Sequence, residues 1–218
     1  MSGGRRWPLA RVLSLAATLW LAAGAALAIE EPEYRVVEKL DGFELREYPP
    51  LWVATVTVEG DRAAAGNRGF RPLLRYISGD NVKRDRIAMT APVIQQPGAD
   101  DGESIAMTAP VLQQGSGDAW QLMFVMPAGR SGEDLPQPED PAVSIQVLPA
   151  RLVAALRYSG GWGEARYQRF ETELRAAVAQ AGLSVCGPAQ WARYDPPFMP
   201  WFLRRNEVLL PVARGGCD

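Results

Sequence analysis

Apolar and polar residues alternate through two short stretches of the chain that stand one hundred positions apart. Phe43-Glu44-Leu45-Arg46-Glu47-Tyr48 runs into Pro49, and Val143-Ser144-Ile145-Gln146-Val147-Leu148 runs into Pro149. A period of two gives a strand one apolar face, and proline stops each run because it has no N–H for a ladder. A second strand-like run follows each, Leu51 to Val58 and Arg151 to Tyr158, with Val53-Ala54 matching Val153-Ala154 and Gly60 matching Gly160. The period then changes. Phe70, Leu73, Leu74 and Ile77 fall at i, i+3, i+4 and i+7, an amphipathic helix that Gly79 is placed to end. Tyr167, Phe170, Leu174, Val178 and Ala181 trace the same stripe, closed by Gly182.

The chain is therefore a duplication, each half β-β-α followed by further strands. The halves cover about 33–128 and 142–213, and Gly129 to Pro141, rich in Pro, Asp and Glu, joins them. This pattern predicts an α+β fold: duplicated β-β-α-β units forming a distorted antiparallel β-barrel with two helices packed outside. Where two such halves meet, a cleft is a natural place for a ligand.

A second repeat lies inside the first half. Ile87-Ala88-Met89-Thr90-Ala91-Pro92-Val93 recurs as Ile105-Ala106-Met107-Thr108-Ala109-Pro110-Val111, each copy running on to a Gln-Gln pair. With a Gly/Asp-rich turn between them, the copies read as a β-hairpin, followed by a strand from Trp120 to Met126. Odd positions would then share one apolar face. Pro92 and Pro110 belong at edge positions or bulges.

The N-terminus changes the picture of the whole. Arg5, Arg6 and Arg11 precede an apolar run from Val12 to Ala25, and Ala26-Leu27-Ala28 has the small-x-small form of a cleavage site. Residues 1–28 read as a cleaved secretory signal and 29–218 as a single domain in a bacterial periplasm. Without the three arginines of the signal, twenty basic residues face twenty-five acidic ones, a net charge of about −5. Such a chain is not built to neutralise phosphates, and no basic amphipathic stretch points to a membrane once the signal is gone. A monomer with no nucleic-acid partner is the expectation. Cys186 and Cys217, the only cysteines, would sit in an oxidising compartment, and a bridge between them is expected.

The chemistry available is narrow. The chain contains no histidine, which removes the usual Ser-His-Asp and Cys-His sites and the commonest haem and zinc ligand. No phosphate loop or CxxC pair is present, and no catalytic residue is assigned. The metal ligand, if any, is unassigned. Tyr48, Met89, Met107 and Met199 carry atoms able to hold iron, although each residue type is more often part of a core or rim. On the first helix, Phe70 and Leu74 stand beside Arg71 and Arg75, a set able to form an apolar slot with cations at its edge. The same set also describes a stripe packed on a sheet with solvated arginines. The segment Tyr194-Asp195-Pro196-Pro197-Phe198-Met199-Pro200-Trp201-Phe202 reads as a stiff aromatic loop over the sheet, either a pocket lid or a seal.

The repeated IAMTAPV, the run Trp191-Ala192-Arg193-Tyr194-Asp195-Pro196-Pro197 and the later Arg204-Arg205-Asn206-Glu207-Val208 resemble the SOUL haem-binding protein family over nearly all the chain after residue 32. The resemblance implies the same duplicated barrel and a tetrapyrrole as ligand. Some members carry a histidine, proposed as axial ligand, in the strand matching Arg46-Glu47-Tyr48; here that position is Glu47. The expectation is a secreted protein binding haem or another tetrapyrrole in an apolar cleft without histidine ligation. Competing readings are a module for another apolar small molecule, an enzyme acting on such a ligand, and a structural protein with a filled core. The scaffold is also similar to bacterial effector-binding domains of the gyrase-inhibitor-like type.

Overall fold

The computed structural model describes residues 30–83 and 102–217. The strands β2 (Phe43–Tyr48) and β3 (Leu51–Glu59) form where alternation predicts them, preceded by β1 (Arg35–Leu40). Helix α1 (Arg62–Ile77) opens on Asp61, whose carboxylate accepts from the Ala64 N–H at 2.8 Å, one of the donors a helix start leaves unpaired. It gives way after Ser78 to Gly79 at φ +121°, a backbone suited to glycine. The first half continues through β4 (Asn81–Val82), β5 (Val111–Ser116), β6 (Ala119–Val125) and β7 (Gln137–Pro138).

The second half repeats the opening at the expected offset: β8 (Val143–Leu148), β9 (Arg151–Ser159) and helix α2 (Glu164–Gln180). It ends with β10 (Leu183–Val185), β11 (Gln190–Arg193) and β12 (Arg205–Arg214). The large sheet is antiparallel throughout, in the order β1-β2-β9-β12-β11-β5-β6-β3-β8, with β10 also on β12. It curls into a half-barrel that carries both helices. Apart from β1 and β10, the order reads the same from either end when β2 is exchanged with β8, β9 with β3, β12 with β6 and β11 with β5. The pseudo-two-fold thus runs between β5 and β11, and each repeat lends its first strand to the other: β2 pairs β9 and β8 pairs β3.

Alternation sorts the side chains between two faces. Ala54, Val56, Leu122 and Phe124 meet α1, while Ala154, Leu156, Val208 and Leu210 meet α2. The opposite face buries Val53, Leu112, Met123, Val153 and Leu209 with Tyr48. Cys186 and Cys217 are joined, their Cα atoms 5.4 Å apart, tying the tail after β12 to the segment after β10.

Two expectations need correction. The second IAMTAPV copy is not a strand from Ile105: its ladder starts at Val111, directly after Pro110, and its hairpin partner is β6 through Gly117-Asp118. Proline cannot donate, and the stretch before it is pinned by single contacts: the Ile105 N–H on the Ile77 carbonyl and the Ala109 N–H on that of Glu30. The first copy, Met89 included, lies outside the described residues. The stripe on α1 is also turned. Leu73 and Ile77 are buried as expected, but so are Ala65, Gly66, Gly69 and Tyr76, while Phe70 and Leu74 are 36% exposed. A Cβ on Gly69 would stand 3.1 Å from Val56 and 3.2 Å from Leu122, so its absence lets the helix backbone sit down on β3 and β6. That rolls Phe70 outward.

Candidate functional site

At the pseudo-two-fold, on the helix side of the sheet, α1 and the start of β5 leave a cleft of about 290 Å³. From α1 come Gly66, Asn67 and Phe70, and the segment before β5 supplies Met107, Thr108 and Ala109. Val111 and Trp162 continue the wall, and Arg193 with Tyr194 through Pro197, leaving β11, completes it. Phe70 is held edge-on against Phe124 of β6, ring centres 5.2 Å apart. Thr108 is fixed by donating its hydroxyl to the Val125 carbonyl. Met107, between these anchors, is partly exposed.

Several polar groups of the cleft are already engaged. Arg193 donates from Nε to the Tyr167 hydroxyl at 3.0 Å and from Nη2 to Gln113 Oε1 at 2.8 Å. Its guanidinium also lies 5.0 Å from the centre of the Trp162 ring. Trp162 is clamped from two sides: its Nε1 donates to Asn206 at 2.8 Å, and Arg204 stacks on it at 4.4 Å. Deeper in the same region, Arg62 of α1 is enclosed by the rings of Tyr167, Trp191 and Trp120 and pairs with Glu164 at the start of α2. Arg62 therefore ties the two helices together under the cleft.

Across the sheet lies a charged cluster. Glu207 of β12 is fully buried and accepts from Arg46 Nη1 at 2.7 Å, from the Tyr194 hydroxyl at 2.8 Å and from Arg205 Nη2 at 3.0 Å. Burial alone would push its carboxyl pKa up; the hydrogen bonds and charge of Arg46, with Arg205 and Tyr194, outweigh that and hold it below the usual 4.5. Burial pushes the Tyr194 hydroxyl well up, so it stays protonated and donating. Tyr194 thus joins the cleft wall to the charge cluster.

The candidate residues divide between places. Phe70 and Met107 line the cleft. Leu74 and Arg75 are exposed further along α1, Arg75 paired with Asp80 at 2.5 Å; Arg71 is exposed and forms no ion pair among the described residues. Met199 lies in the loop between β11 and β12, its carbonyl accepting from Arg204, and does not line the cleft. Glu47 and Tyr48 belong to a separate, shallower depression of about 430 Å³ with Tyr34 and Arg35. Adjacent on one strand, they point to opposite faces: Glu47 outward to Arg35, Tyr48 into the buried face. Sequence reasoning missed Gly66, Asn67, Trp162, Arg193 and Tyr194 as cleft residues. The signal for two of them lay in the Trp191–Pro197 run; Trp162 stood inside a glycine-rich stretch that gave no chemistry.

Known proteins place this chain. Heme-binding protein 1 of Xenopus laevis is 27% identical over 185 residues, 83% of this chain and 90% of that protein. Heme-binding protein 2 of Homo sapiens is 38% identical over 82 residues, so the match spans 34% of this chain and only 40% of that relative's length. Among solved structures, the C-terminal domain of EcmrR superposes with a TM-score of 0.55 at 13% identity, over 83% of this chain and 98% of that one. An uncharacterized conserved protein from Listeria innocua gives 0.51 at 15%, over 85% and 94%. At such identity these structures speak for the fold alone. Residues 29–211 match the family described as SOUL heme-binding protein, and the chain belongs to that family.

Proposed function

We propose that this protein is an exported binding protein for haem or another planar tetrapyrrole, held by apolar contact in the cleft and without histidine ligation. The observation that carries this reading is the cleft itself: Phe70, Val111, Trp162 and Pro196 wall a slot at the junction of the two repeats, in a chain of this family. The names of the heme-binding relatives support the ligand class. The residues fit the group in part. Aromatic and aliphatic walls suit a macrocycle face, and Asn67 in the cleft has Arg71 one turn on, on the same helix face, where an exposed cation can meet a carboxylate. Met107 is the soft donor among the cleft-lining residues; Tyr194, bonded to Glu207 and protonated, is not free to ligate iron. When bound, haem would supply the metal centre, and the chain its burial and orientation.

The Cys186–Cys217 bridge supports an oxidising compartment, in keeping with the signal-like N-terminus, and we place the protein in the bacterial periplasm. Binding rather than catalysis is favoured because the cleft's own carboxylate, Asp195, accepts from the Arg205 N–H at 2.6 Å, and Glu207, behind Tyr194, is locked by three donors.

The test is a titration of the protein with hemin, followed by Soret absorbance, alongside iron-free protoporphyrin. Saturable one-to-one binding of both, weakened about tenfold by Phe70→Ala, is the expected result. Binding of neither would overturn the assignment. One observation favours a second reading: ligand cavities run to roughly 300–1,000 Å³, and this cleft, at about 290 Å³, falls just below that range. A smaller flat apolar molecule would be buried whole, and would compete with protoporphyrin in the same titration.

A further inference from the structure

Between β11 and β12 the chain holds large apolar side chains out into solvent. Phe198 is 85% exposed, Trp201 61%, Phe202 58% and Leu203 61%. The loop is nevertheless braced. The Met199 N–H donates to the Pro196 carbonyl at 3.0 Å and the Leu203 N–H to that of Pro200 at 2.9 Å, closing two tight turns. Arg204 donates from Nε to the Met199 carbonyl at 2.7 Å and from Nη2 to that of Pro197 at 2.5 Å. Prolines at 196, 197 and 200 restrict the backbone further. A contiguous apolar patch kept rigid and outward marks an interaction site rather than an incidental exposure.

We propose that this loop docks on a lipid bilayer, with Phe198, Trp201 and Phe202 in the interfacial layer and the cleft opening toward the membrane. The loop's chemistry selects this partner. No acidic residue occurs from Pro196 to Arg204, and the nearest, Asp195, is turned inward to accept from the Arg205 N–H at 2.6 Å. Aromatic side chains on a protruding, cation-based loop match the headgroup boundary, where tryptophan is enriched. The path of the chain points the same way. Glu31 binds Arg205 at the base of the loop at 2.9 Å, and the Glu30 carbonyl accepts from Ala109, a cleft residue. Glu30 and Glu31, where the described chain begins, therefore lie beside both the cleft and the loop.

This deepens the proposed function, since Pro196 and Pro197 line the cleft and begin the loop. An apolar ligand dissolved in the bilayer would enter without crossing water. The docking itself does not depend on which ligand is carried.

The test uses the exported chain, residues 29–218, with phosphatidylethanolamine–phosphatidylglycerol vesicles whose acyl chains carry bromine as a quencher. The readout is the emission of Trp201 alone, taken as the difference between the wild type and Trp201→Phe, because the chain carries other tryptophans. Quenching of that difference emission by at least half, with a shift to shorter wavelength, is expected. Moving the reporter, with Phe198→Trp in the Trp201→Phe background, should give the same result; both sites are exposed, so neither change threatens the core. Difference emission untouched by the brominated lipid overturns the proposal. So does a chain that is dimeric without vesicles and becomes monomeric when Phe198, Trp201 and Phe202 are all changed to Ser, since the loop would then be a contact between copies. A failed hemin titration would sink the proposed ligand while leaving the quenching result in place, so the two failures are separable.

Discussion

Arg46 on β2 and Glu207 on β12, 161 residues apart in sequence, form a fully desolvated ion pair through Nη1 and Nη2 at 2.7 and 3.2 Å. The strand between them in the sheet is β9, so the pair clamps three strands drawn from both repeats. Removing one partner of a buried pair leaves the other charge uncompensated, a loss of about 3–5 kcal/mol. Glu207→Gln should therefore lower stability by about 3 kcal/mol in denaturant titrations. A shift under 1 kcal/mol would show that the other bonds of Arg46 suffice.

The same carboxylate gives the protein an acid limb. Glu207 titrates below its ordinary 4.5 when folded, so under pH 4.5 the unfolded chain takes up a proton that the folded chain refuses. Its contribution is complete above pH 4.5 and is lost as pH falls toward the folded value. Melting temperature should drop steeply with acidification below pH 4.5 in the wild type. The slope should be shallower in Glu207→Gln, whose position no longer titrates. Equal slopes would mean that other carboxylates carry the acid sensitivity.

Two glycines on α1, three residues apart, should respond in opposite ways to alanine. At Gly69 the new methyl would stand 3.1–3.2 Å from Val56, Leu122 and Val58, tight contacts on a packed sheet. At Gly66 the nearest atoms, on Arg193 and Gln113, are 3.5 Å away, an ordinary contact. A helical Gly→Ala change without strain gains about 0.5–1 kcal/mol, whereas overpacking costs about 1–3 kcal/mol. Gly66→Ala should raise the urea midpoint and Gly69→Ala should lower it. The reverse order would place the helix further from the sheet.

These glycines also show what the sequence could and could not disclose. The repeat was legible because it rests on local patterns: alternation ending at Pro49 and Pro149, and stripes ending at Gly79 and Gly182. The roll of α1 was not. A hydrophobic pattern weights Phe70 and Leu74 as core, while the residues that set the helix orientation, Gly66 and Gly69, have no side chain to register. The opposed directions of Glu47 and Tyr48 were readable from strand alternation alone. The Arg46–Glu207 pair and the Arg193–Gln113 bond were beyond reach, because only the sheet order brings those strands together. The loop at 198–203 looked like a lid or a seal; its exposure follows from the backbone bonds of Arg204.

The disulfide closes a loop of 31 residues around β11 and β12. Constraining an unfolded loop of that length stabilises by about 3–4 kcal/mol in the chain-entropy account. Cys217→Ser should lower stability by that amount, and reducing agent should bring the wild type to the same midpoint. A wild type indifferent to reductant would show that the tail contributes nothing beyond its own contacts.

Met107 offers the sharpest division between apolar binding and iron coordination. It lines the cleft between the anchored Ile105 and Thr108, and its thioether is a soft donor of the kind that ligates haem iron. Met107→Leu keeps size and apolarity but removes the sulfur. If the sulfur binds iron, hemin affinity should fall about tenfold, equivalent to about 1.4 kcal/mol, with a displaced Soret band, while iron-free protoporphyrin binds as before. Unchanged affinity for both ligands would assign binding to the walls alone, with Phe70 and Trp162 as the residues to test next. A parallel loss for both would mean that Met107 acts through shape and not through its sulfur.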